Sequence, residues 1–86
     1  MNINEKIRLI RTTEGFTQVE FAKLIGVSCD VGVREIESGK RKEVGSAKIE
    51  RICKRFPEYA LWLTTGQTSG DQIDPYIKQS QSTKTG

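Results

Sequence analysis

Few residues in this sequence have side chains that could do covalent chemistry. Two thiols, Cys29 and Cys53, stand far apart in a chain without histidine. The common zinc spacings and a cysteine-histidine catalytic pair are therefore excluded. The simplest reading puts one thiol in the core, Cys53, and one on the surface, Cys29. Carboxylates are scattered and mostly sit beside Lys or Arg, which suits solvated or paired groups better than a general acid and base. No Gly-rich phosphate loop is present, and neither an enzyme nor a cofactor is expected. What remains is cationic chemistry. Lys40, Arg41, Lys42, Lys48, Arg51, Lys54 and Arg55 face only Glu43 and Glu50 in the same segment, although the whole chain is only +3. Such a segment is either an ordinary solvated face or an electrostatic footprint for nucleic acid. The elements that carry it must decide.

At 86 residues the chain makes one domain, burying roughly 60% of the surface its unfolded form would expose. That is too little for a large enclosed active site. Apolar runs such as ALWL at 60–63 fall far short of the roughly 20 residues that span a bilayer. The first residues lack the apolar stretch of a signal peptide, so a cytoplasmic protein is expected. Strand alternation and internal repeats are absent. Ile3, Ile7 and Ile10 recur at helical spacing, with Asn4 placed to cap, and predict a helix from about residue 4 to 14. FTQVEF carries a capping box, Thr17 with Glu20, and a hydrophobic staple, Phe16 with Phe21. The second helix buries Phe21, Leu24 and Ile25, uses Ala22 for a close helix approach, and stops at Gly26. Val33 and Ile36 mark a third helix ending near Ser38. Ser46 is placed to cap a fourth, with Ile49, Ile52, Cys53 and Phe56 on one stripe. Pro57 suits the first turn of a fifth, PEYALWLTT. Residues 67–86 form a polar tail anchored only by Ile73, Tyr76 and Ile77, with about the last eight residues expected to be mobile.

The run TQVEFAKLIGVS, the closing IESGK and the terminal ALWLTTG together resemble the phage-repressor and Cro-like helix-turn-helix regulators of the XRE type. The resemblance spans residues 3–66. It implies an all-α, five-helix lambda-repressor-like DNA-binding domain over residues 1–66, with a short polar C-terminal tail at 67–86 that aids pairing. It also implies a transcriptional regulator, a phage or prophage repressor that binds a palindromic operator in double-stranded DNA as a homodimer.

One feature departs from the family: the distance from Ser28 to Gly39 is one residue longer than usual. If the third helix kept its usual start, its core positions would fall on Gly32 and Glu35. Burying an unpaired carboxylate costs several kcal/mol, far more than lengthening a turn by one residue. Counting back from the helix end instead puts Val33 and Ile36 in the core and leaves the surplus near Ser28, Cys29 and Asp30. The helix is expected to begin at about Cys29 or Asp30.

In that register the resemblance implies that Asp30, Val31, Gly32, Arg34 and Glu35 face the major groove. Arg34 suits guanine O6 and N7, Glu35 suits cytosine N4, and Val31 suits a thymine methyl. Gly32 either allows a close approach to DNA or tolerates the strain of the extra residue. Asp30 is expected to cap the third helix, with Ser28 competing for that role. Phosphate contacts are assigned to Thr17 and Gln18 at the start of the second helix and to Lys40, Arg41 and Lys42 after the third. One such module has a small interface, so two-fold pairing is expected. Leu61, Trp62 and Leu63 cannot all face one core, and one or two of them are assigned to the dimer contact. The rival reading is a protein-binding antitoxin or antirepressor whose tail engages a partner protein.

Overall fold

The computed structural model describes the backbone of residues 1–83 and the side chains of residues 1–79. Six helices follow in chain order: α1 (Ile3–Glu14), α2 (Gln18–Ile25), α3 (Asp30–Glu37), α4 (Ser46–Arg55), α5 (Ala60–Thr65) and α6 (Pro75–Thr83). A single 3-10 turn, Pro57–Tyr59, leads into α5. The fold is all-α, with no strand among the described residues. Among the described residues, no helix is long and apolar enough to cross a membrane.

The first helix starts one residue earlier than its apolar spacing suggested, and a different asparagine caps it. Asn2 Oδ1 accepts from the Glu5 N–H at 2.9 Å, and the Glu5 carboxylate accepts from the Asn2 N–H at 3.4 Å. The expected cap, Asn4, is instead buried and turned toward α3. Around the start of α2 the expected box is present: Thr17 Oγ1 accepts from Glu20 N–H at 3.1 Å, and Glu20 Oε1 accepts from Thr17 N–H at 2.9 Å. The Thr17 backbone N–H first, and the Thr17 side chain second, hold the Glu20 carboxyl below its usual value. Phe16 and Phe21 pack with ring centroids 6.3 Å apart, as the staple requires.

Gly26 closes α2 at φ +81°, a left-handed conformation that costs side-chain-bearing residues energy. The chain then turns through Val27, Ser28 and Cys29 before α3 begins at Asp30. The extra residue is thus absorbed in the turn. Val33 and Ile36 are 0% and 1% exposed, as the shifted register demands. With Ile7, Ile10, Phe21, Ile25, Ile52 and Phe56 they form one core between α1, α2, α3 and α4. Ser46 is the first residue of α4 and makes no side-chain cap there, Gly45 holding the cap position. Cys53 is half-buried and packs against the core, and burial pushes its thiol pKa up; Cys29 is exposed.

The tail departs most from expectation. Asp74 Oδ1 accepts from the Ile77 N–H at 2.8 Å, and Pro75 occupies the first helical position, so an Asp-Pro start launches α6. Ahead of it, Gln72 Oε1 accepts from the Leu61 N–H at 2.8 Å and Gln72 Nε2 donates to the Pro57 carbonyl at 3.0 Å. Ile73 N–H donates to the Glu58 carbonyl at 2.8 Å. Within α6, Gln79 Nε2 donates to Thr13 Oγ1 at 2.8 Å. The tail's apolar anchors are Ile73 and the buried Pro75, whereas Tyr76 and Ile77 are exposed. Helix α6 runs into the segment expected to be mobile, as far as Thr83; residues 84–86 lie outside the described residues.

Candidate nucleic-acid interface

Three elements hold the outer face of α3 in place. Arg11 on α1 grips Glu37 at the end of α3 through two N–H groups, Nε to Oε2 and Nη2 to Oε1, the latter at 3.0 Å. The same guanidinium donates from Nη1 to the Phe16 carbonyl at 2.9 Å. Gln18 Nε2 completes the cluster by donating to Glu37 Oε1 at 3.1 Å. The Arg11 and Glu37 side chains are only 14% and 6% exposed. A buried bidentate pair of this kind, with Arg11 Nη1 bonded as well, sets the angle of α3 against α1 and the start of α2.

The end of α3 and the basic loop are held from inside by Asn4. Its Nδ2 donates to the Ile36 carbonyl and to the Arg41 carbonyl, both at 2.7 Å. Among the described residues it is the one polar residue in the core, 5% exposed. The loop is held from outside by Glu35, whose Oε1 lies 3.2 Å from Arg41 Nε and whose Oε2 lies 3.6 Å from Lys40 Nζ. Arg41 N–H also donates to the Glu35 carbonyl at 3.2 Å.

This arrangement redistributes the roles expected of the individual residues. Val31 and Arg34 stand outward, Val31 48% exposed and the Arg34 side chain 57%. Asp30 does not cap α3, because Cys29 occupies the cap position and no side chain bonds the free N–H groups there. The Asp30 carboxylate instead accepts from Arg34 Nη2 at 2.7 Å, one helical turn on. The guanidinium offers a charged donor in fixed i, i+4 geometry, which a local N–H competes with poorly. Ser28 is exposed and caps nothing. Gly32 does not face open space: a Cβ there would sit 3.3 Å from Val27 Cβ, so the missing side chain makes room for the turn. Glu35 is half-buried with both oxygens engaged by the loop. Gln18 has its amide on Glu37, but the backbone N–H groups of Gln18 and Val19 have no partner among the described residues. Thr17 is exposed beside them.

Two grooves run along α3. One is lined by Arg8, Arg11, Gln18, Arg34, Glu37 and Ser38. The other is lined by Ser28, Cys29, Val31, Glu35, Arg41 and Lys48, among others. Arg8 and Lys48 thereby join the face; Lys48 was named only as one cation of the basic segment, and Arg8 not at all, its charge being its only signal. Lys42 lines a separate depression with Ile3, Lys6, Val44 and Leu63. The loop cations are thus divided, Lys40 and Arg41 beside α3 and Lys42 away from it.

The residues expected to pair two copies are mostly inside the protomer. Trp62 is 6% exposed and Leu63 1%, while Leu61 is half-buried. Lys6 Nζ lies 5.6 Å from the Trp62 ring centroid, a cation–π contact that covers the indole. One turn earlier, Tyr59 OH donates to Glu14 Oε2 at 2.6 Å, and desolvation followed by that carboxylate pushes the phenol pKa well above its ordinary value. Lys78 on α6 lies 3.7 Å from Glu14 and 3.5 Å from Glu58. No protein-family model matches the chain, and no curated protein is significantly similar to it, so the candidate site stands on its own geometry.

Proposed function

We propose that this chain is a sequence-specific DNA-binding transcriptional regulator of the phage-repressor kind, acting as a homodimer on an inverted-repeat operator. The observation that carries the reading is the outer face of α3. It starts at a short turn after α2 and exposes Val31 and Arg34 on a helix whose inner face, Val33 and Ile36, is fixed in the core. A single α-helix fits the major groove of B-DNA, and the side chains of its first turns reach base edges. Around that face stand Arg8, Lys40, Arg41 and Lys48, with the unpaired N–H groups of Gln18 and Val19 at the start of α2. Cations and helix N-termini bind phosphate and set register without reading sequence.

Within this reading Arg34 and Val31 specify bases. Thr17, the Gln18 backbone, Lys40 and Arg41 grip the backbone of the DNA, and Glu35 and Asn4 hold the loop in place. Pairing falls to Leu61 and to the exposed α6 residues Tyr76 and Ile77, because Trp62 and Leu63 are already buried. Selection from a randomised duplex library by the purified chain, followed by sequencing, tests the proposal. The expected outcome is an enriched inverted repeat with half-site centres about 10 base pairs apart or a multiple of that; no enrichment under any binding conditions would reject it. The exposed Tyr76 favours the second reading, a protein partner docked on the tail, and a stoichiometric co-purifying protein in place of DNA enrichment would support that instead.

A further inference from the structure

We infer that Asp30 and Arg34 act as one composite reader, matched to a single G·C base pair in one orientation. The inference rests on the DNA-binding reading and assigns the base pair that the site recognises. Arg34 Nη2 and Asp30 Oδ2 lie 2.7 Å apart on the outer face of α3, with side chains 57% and 33% exposed. A guanidinium carries five N–H donors, and only one is used here. The carboxylate is acceptor-only, and among the described residues Oδ1 accepts nothing, since α3 has no side-chain cap. The pair therefore presents donors and an acceptor side by side.

The major-groove edge of a G·C pair is complementary to that arrangement. Guanine offers N7 and O6 as acceptors, and the cytosine opposite offers its N4 amino group as donor, next to O6. Arg34 can bond N7 and O6 while Asp30 accepts from N4, with the intramolecular bond retained. The result is a closed set of hydrogen bonds across both strands. Adenine fails because its amino group faces the guanidinium. Reversing the pair puts donor against donor. Asp30 also cancels the Arg34 charge, which suppresses indiscriminate binding of Arg34 to phosphates. Asp30 is thus a specificity-determining residue, not a cap.

The experiment uses the full chain, its selected duplex and two chemically edited duplexes. In one, the cytosine paired with the guanine read by Arg34 is replaced by pyrimidin-2-one, which lacks only the amino group; in the other, that guanine is replaced by 7-deazaguanine, which lacks N7. The wild type should lose about tenfold in affinity on each edit, since hydrogen bonds to charged groups are the strong ones. Asp30→Ala should bind random DNA more tightly than the wild type, become insensitive to loss of the amino group, and keep its response to loss of N7. Arg34→Ala should be insensitive to loss of N7. Circular dichroism checks that both variants fold, and an exposed pair of this kind contributes little to stability. A wild type indifferent to the amino group, or an Asp30→Ala variant that still senses it, overturns the composite reader while leaving DNA binding intact. A wild type with no sequence preference overturns the functional reading beneath it.

Discussion

Removing the Asn4 amide tests the packing that positions the candidate site. Asn4→Ala deletes two bonds of 2.7 Å, to the carbonyls of Ile36 and Arg41. A net hydrogen bond contributes about 1 kcal/mol. The Ile36 carbonyl keeps a bond from the Gly39 N–H at 3.2 Å, whereas the Arg41 carbonyl has no second partner among the described residues. Leaving one half-buried acceptor unpaired adds about 1 kcal/mol, for a total near 3 kcal/mol. In a domain of this size each kcal/mol lowers the melting temperature by about 4–8 °C, so a fall of roughly 12–24 °C is expected. Asn4→Asp should be worse than Asn4→Ala, because a carboxylate can only accept and would face two carbonyl oxygens. Urea and thermal unfolding of the three proteins measure this order directly. A loss under about 0.5 kcal/mol for Asn4→Ala, or an aspartate tolerated as well as the alanine, would refute the assignment of Asn4 as the clamp between α1, α3 and the basic loop.

Neutralising Lys40 and Arg41 should weaken binding to all sequences alike and flatten the plot of log K against log salt, by up to about 0.9 for each phosphate no longer neutralised. Lys42→Ala, on the other side of the loop, should change that slope least; salt titrations of the single variants separate the three. Leu61→Lys should give a folded monomer with weakened operator binding if α5 carries the pairing. A dimer that survives Leu61→Lys but dissociates with Tyr76→Glu in sedimentation would move the interface to α6. Trp62→Ala should instead destabilise the protomer by about 3–5 kcal/mol. Glu20 has a folded pKa below its unfolded value, so its contribution to stability is present above the ordinary carboxylate range and is lost as pH falls through the folded pKa. Glu20→Gln should therefore show a shallower loss of stability in acid, measured by melting curves from neutral pH downward.

Much of the fold was legible because local signals and burial agree. The Thr17 and Glu20 box marks the start of α2, and the cost of burying Glu35 decides the register of α3, with Val33 and Ile36 in the core. What escaped depended on partners distant in the chain or on competing local choices. Asn2 and Asn4 are both plausible caps by type, and only the fold brings the carbonyls of Ile36 and Arg41 to Asn4. Asp30 had a local N–H and an arginine one turn away as rival partners, and the arginine holds it. Gly32 was weighed against DNA and strain, while its constraint is the Val27 side chain across the turn. The α6 helix was hidden by polar composition, although Asp74-Pro75 was a visible start signal and Gln72 a tether that no periodicity reveals.

The central claim, that α3 and its flanking cations form the DNA-binding face, is tested most directly by titrating the isotopically labelled chain with its selected duplex and following backbone amide signals by NMR. The largest shifts are expected at Thr17, Gln18, residues 28–34, Lys40 and Arg41, with Arg34 side-chain signals sharpening as they enter the groove, and little change at Gln72 to Ile77 beyond any effect of pairing. Shifts concentrated on Tyr76 and Ile77 with α3 undisturbed, or no shifts at low salt, would contradict it.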